Sequence, residues 1–145
     1  MPRSTWVAQL SFASCVLSRQ PGDLKSQCPP LGAVAVLLFC MPGAPASSTR
    51  AVVLGHIVGS LAALTCVMGL PGPYAPGLAV GLAVTGMKLF DCVHPPAAAY
   101  AFLFAANGWG PKQVLAPGLL GAVILVVVQR IWTQLTATVV KPKTA

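Results

Sequence analysis

From Ala51 to Leu70 the chain reads AVVLGHIVGSLAALTCVMGL, without a single Asp, Glu, Lys or Arg. About 20 such residues are what a helix needs to cross the hydrocarbon core of a bilayer. Backbone groups in that core have no water to bond, so the stretch must fold as helix. The rest of the chain suits lipid as well. Of its 145 residues, 56% are hydrophobic and 8% charged, only two being acids. Mean hydropathy is +0.79. A soluble domain carries about 25% charged residues, so most of this exterior is expected to face lipid. The length suits one domain.

Four further apolar segments flank the first: Leu31 to Met41, Tyr74 to Phe90, Pro95 to Ala106, and Val114 to Leu135. Ala51–Leu70 and Val114–Leu135 have full spanning length, Tyr74–Phe90 is marginal, and the other two are about half of it. Turn chemistry separates them: MPGAPASS, LPGPYAPG and NGWGPKQ. The expected fold is therefore an all-α membrane protein of about five hydrophobic helices, two of them short and opened by Pro-Pro. Gly55/Gly59 and Gly77/Gly81 each form a G-x-x-x-G, the spacing that lets helices approach closely in lipid.

The net charge of +7 comes from basic residues scattered singly, such as Arg3, Arg50, Lys88, Lys112 and Arg130. They form no basic stripe, so no nucleic-acid partner is expected. The loop charges give no clean membrane orientation. The five cysteines lack a C-x-x-C pair and read as small buried hydrophobes. No metal site and no cofactor are expected. There is no Glu, no Ser-His-Asp set and no phosphate loop, and the chain does not read as an enzyme.

The halves of the chain resemble each other. CPPLGAVAVLLF from Cys28 matches HPPAAAYAFLF from His94; a turn, a basic residue (Arg50 or Lys112) and a longer span follow each, with Gly59 in the place of Gly121. If all five segments cross, the halves run in opposite directions, an inverted internal repeat of the kind that builds many transporters. A counterpart for Tyr74–Phe90 falls near Ser11 to Lys25, which holds Arg19, Pro21, Gly22 and Asp23 and does not read as a span. Residues 1–28 are thus expected to be a poorly hydrophobic segment, either targeting or a degraded helix. Residues 29–136 form the transmembrane domain and 137–145 a basic tail.

Two prolines suit the first turn of a helix. Pro95 and Pro96 would leave the N–H groups of Ala97, Ala98 and Ala99 pointing out of a helix N-terminus, which attracts anions. Pro29 and Pro30 would do the same with Gly32. The two N-termini, with His94 and His56, are expected to meet near the midplane as a site for a small monovalent anion. The plainer alternative makes His-Pro-Pro a capped helix start. Lys88, Asp91 and His94 are three apart and share a face if the helix continues. Asp91 then orients His94 as a proton relay, or, as we favour, Lys88 and Asp91 neutralise each other at the membrane boundary. His56 either lines the site or bonds a neighbouring helix. Arg50 either gates anions or anchors its span.

LGAVAVLLF, Gly55-His56 and His94-Pro95-Pro96 together resemble the HPP family of integral membrane proteins, over about Pro29 to Leu135. Ala97-Ala98 stands where members often have Gly-Gly, and Thr49-Arg50-Ala51 where Pro-Arg-Asn is usual. The resemblance implies a multi-pass transporter or channel for a small inorganic anion, nitrite in the chloroplast members. The location would be the chloroplast envelope in a plant or alga, otherwise the plasma or inner membrane. The expected partners are the lipid bilayer, the anion, and a second copy or a partner membrane subunit. The alternative is a non-transporting structural or accessory subunit that packs through its glycine-rich faces.

Overall fold

The computed structural model describes residues 29–70 and 72–139. The expected degraded helix and the end of the basic tail lie outside them. The described residues are helical and contain no strand. The order is α1 (Pro29–Cys40), a 3-10 turn (Pro45–Ser47), α2 (Thr49–Gly69), α3 (Ala75–Leu89) and α4 (Pro95–Ala106). A one-turn helix (Pro111–Gln113) and a π-type turn (Val114–Leu119) then lead into α5 (Leu120–Val139). α2, α3 and α4 pack against one another as the centre of the bundle. α1 and α5 pack together and close it against α4 and α2.

The sequence explains how the elements end. Ser47 donates its hydroxyl to the carbonyls of Leu37 and Met41 at 2.9 and 2.7 Å, adding a second bond to carbonyls at the end of α1 that also accept from the Met41 and Ala44 N–H groups. Its neighbour Ser48 caps α2, accepting from the Ala51 N–H at 3.2 Å. α4 ends in a Schellman motif built from Asn107-Gly108-Trp109. Gly108 takes φ +58°, Trp109 N–H bonds the Phe104 carbonyl at 3.1 Å, and the two rings meet edge to face with centroids 6.3 Å apart.

The last segment departs from expectation. It is not one continuous span: Ala116 is extended, with φ −139° and ψ 128°. Pro117 follows it, and a residue before proline is driven out of the helical region. Among the described residues α2 alone is long and apolar enough to cross a membrane by itself. Large apolar side chains stand on the outside, among them Leu61, Leu78, Leu82, Phe102, Val127 and Ile131.

The internal repeat is visible in the packing. A Cβ on Gly59 would fall 2.7 Å from the Ala97 carbonyl oxygen, and one on Gly121 would fall 2.6 Å from Leu31 Cδ1. Leu31 and Ala97 hold the same place after their prolines. Each short helix therefore packs on the span glycine of the other half. The buried faces also correspond: Pro30, Leu31, Val34 and Leu38 in α1, and Pro96, Ala97, Tyr100 and Phe104 in α4. Gly77 and Gly81 differ from the other pair. A Cβ on either would meet nothing within 4 Å, while Gly86 is the α3 glycine that packs on α2, against Val58.

Candidate functional site

His56 lies two turns into α2, and His94 is the N-cap of α4. Both are 0% exposed, and their ring centroids are 5.2 Å apart. Glycine permits this approach: a Cβ on Gly55 would fall 2.7 Å from the His94 Cβ and 3.2 Å from the Cys92 carbonyl oxygen. Tyr100, in the second turn of α4, brings its ring to 6.0 Å from His56. Its hydroxyl donates to the Gln113 carbonyl at 2.6 Å, and a Cβ on Gly118 would overlap that hydroxyl.

Each imidazole is held from one side. His56 Nδ1 faces the Val52 carbonyl at 2.8 Å, and His94 Nδ1 faces the Ala46 carbonyl at 2.7 Å. A carbonyl oxygen only accepts, so each Nδ1 carries the hydrogen and donates it. Both Nε2 atoms are buried and meet no hydrogen-bond partner among the described residues, and neither does Ser60 Oγ. Ser60 stands one turn after His56 on the same face of α2. Three polar atoms without partners in a bilayer-sized core carry a considerable cost.

Several expected members of the site are placed elsewhere. Ser47 ties the C-terminal end of α1 to the chain beside Ala46, which His94 grips. A helix of 12 residues is about 18 Å long, so Pro29, Pro30 and Gly32 start α1 about that far from the end that Ser47 ties beside Ala46. Gly32 is exposed, and Leu31 packs on Gly121.

The start of α4 is also less open than expected. Ala97 is fully buried and its N–H bonds the His94 carbonyl at 3.0 Å. Pro96 is buried, Pro95 is exposed and Ala98 is half-buried. The side chains at this corner, rather than a row of backbone donors, offer the unpartnered atoms.

The Lys88–Asp91–His94 face does not form. α3 stops at Leu89, and Asp91 turns the chain with φ +49°. Lys88 and Asp91 are exposed, with no ion pair between them, and His94 turns inward to Ala46. Arg50 donates to the Phe90 carbonyl at 3.1 Å, tying the end of α3 to the start of α2. Arg130 reaches Thr49 Oγ1 at 2.8 Å beside it. Sequence reasoning missed Ser60 and Tyr100. The i, i+4 spacing of His56 and Ser60 was there to find; nothing in the sequence pointed to Ala46.

The family model for the HPP transmembrane region matches residues 4–142. The chain belongs to the HPP transmembrane family. HPP membership makes it a membrane protein, and the apolar outer face of the bundle is then its lipid-facing surface. The His-Pro-Pro tripeptide of this HPP chain is the place where the buried N-cap ring meets α2. No curated protein and no solved structure matches the chain significantly.

Proposed function

We propose that the chain is a multi-pass membrane transporter for a small inorganic anion, nitrite being the substrate the family resemblance suggests. One observation carries this reading: two fully buried imidazoles and a serine hydroxyl turn unpartnered polar atoms into a core otherwise lined by apolar groups. Polar groups at membrane depth are costly and mark substrate pathways. The positive end of α4 lies beside them and favours negative charge. The experiment is nitrite uptake into liposomes containing the pure chain, compared with empty liposomes. Uptake above the empty control is expected. None, with an active full-length relative as positive control, refutes the reading.

A second reading is a non-transporting membrane subunit. Gly77 and Gly81 favour it, since they open on the outside of α3 with room for a partner helix. It predicts no uptake by the chain alone.

A further inference from the structure

The hydrogen-bond directions at the histidine pair set a condition on any anion that binds there. With each Nδ1 hydrogen donated to a carbonyl, a neutral ring presents a lone pair at Nε2. Two such lone pairs repel an anion. Ser60 Oγ offers one hydrogen, and the Ala97 N–H is already committed to His94 O. The uncharged site is therefore short of donors. Adding a proton to one Nε2 turns that lone pair into a charged donor, and an anion beside it cancels the charge. Proton alone or anion alone leaves an uncompensated charge in a dry interior, which is far more costly than the pair.

We propose, resting on the anion reading above, that the His56–His94 pair takes up one proton with each anion, so that the chain is an electroneutral proton–anion symporter. The cycle balances. One proton leaves water on the entry side and forms an Nε2–H bond as the anion arrives. On the exit side that bond breaks, the proton returns to water and the anion leaves unchanged. No net charge crosses.

Among the described residues, few other groups compete for the proton. From α4, Tyr100 brings its ring to 6.0 Å from His56 and gives its hydroxyl hydrogen to the Gln113 carbonyl; in the turn before α4, Cys92 is fully buried. α3 contributes Met87, whose Cε lies 3.5 Å from a Cβ built on Gly59. α2 adds only Ser60 within the core. Arg50 is exposed and bonded to the Phe90 carbonyl.

The chain has only two histidines, so nitrogen-15 histidine labelling reads the pair without further assignment. In bilayers at neutral pH without nitrite, solid-state NMR should show both rings neutral with hydrogen on Nδ1. Adding nitrite at mildly acidic pH should convert one ring to the form with both nitrogens protonated, and sulfate at equal ionic strength should not. Hydrogens on Nε2 instead, or rings indifferent to nitrite, overturn the proposal.

Flux gives the second readout. An inward proton gradient of one pH unit should drive about tenfold nitrite accumulation, while a potassium–valinomycin potential at equal pH should drive none. Empty liposomes measure the leak of undissociated acid. Uptake that follows voltage and ignores the pH gradient overturns the symport but leaves the transporter standing. No uptake at all overturns both.

Discussion

The carbonyl of Ala97 occupies the space where a side chain on Gly59 would sit, 2.7 Å from an ideal Cβ. A backbone oxygen inside a helix cannot rotate aside, so α2 and α4 must separate to admit even a methyl group. Gly59→Ala should therefore cost about 1–3 kcal/mol. At Gly77 nothing lies within 4 Å, and Gly77→Ala should be neutral or stabilise by up to roughly 1 kcal/mol through helix propensity. Thermal melts of the two variants in one detergent check the contrast. Equal melting temperatures would mean that the α2–α4 contact is looser than described.

His94 does two things with two nitrogens, and substitutions separate them. The Asn amide can reproduce the Nδ1 donor toward Ala46, while Gln reaches the Nε2 position and abandons that carbonyl. His94→Asn should stay within about 1 kcal/mol of the parent, whereas His94→Gln leaves a half-buried acceptor unpaired and should cost about 1–3 kcal/mol. Neither side chain titrates, so both should lose proton-driven uptake by at least about tenfold. Chemical denaturation and liposome flux on the same preparations decide the matter. A stable His94→Asn with full uptake would reduce His94 to a structural cap.

Much of this was legible from local chemistry. The short helix Pro95–Ala106 begins at its prolines and ends at Asn107-Gly108-Trp109, where composition alone marks a start and a stop. The paired serines, Ser47 and Ser48, finish one helix and begin the next. The duplication was readable too, because the prolines and Gly59 and Gly121 keep their order, and the packing of Leu31 and Ala97 accounts for it. What misled was continuity. Lys88, Asp91 and His94 share a face only if α3 continues, yet it stops at Leu89 and Asp91 adopts a left-handed turn. The apolar run through Val114 hid a break at Ala116, although Pro117 signalled it. The bond from His94 to Ala46 spans 48 residues, and no local pattern specifies it.

Arg50 separates anchoring from anion attraction. Its guanidinium serves the Phe90 carbonyl at the C-terminal end of α3, where a cation is favoured. It is exposed, so Arg50→Met should cost only roughly 0.5–1 kcal/mol, with the loss smaller in high salt. Arg50→Lys should recover part of it. If anchoring is its whole role, uptake per folded molecule remains unchanged in Arg50→Met. A fall of tenfold or more with stability preserved would instead make Arg50 part of the anion path.

Cysteine reactivity tests the packing of the site corner. Ser47 ties the end of α1 to the turn before α2, and Arg50 ties the end of α3 to the start of α2. Cys40 and Cys92 thus lie at the same end of the bundle, and membrane depth does not distinguish them. Packing does: Cys40 is exposed and Cys92 is 0% exposed. Variants retaining one of these cysteines, with the other four changed to Ser, should label very differently. A membrane-impermeant maleimide should modify Cys40 readily and Cys92 at least about tenfold more slowly, because Cys92 reacts only on local opening. Gly55→Ala should narrow that gap. Its Cβ would press on both His94 and the Cys92 carbonyl, so the strain that opens the corner is the same strain that displaces the imidazole. Equal labelling of Cys40 and Cys92 in the parent chain would show the corner already open, and the buried histidine pair would lose its basis.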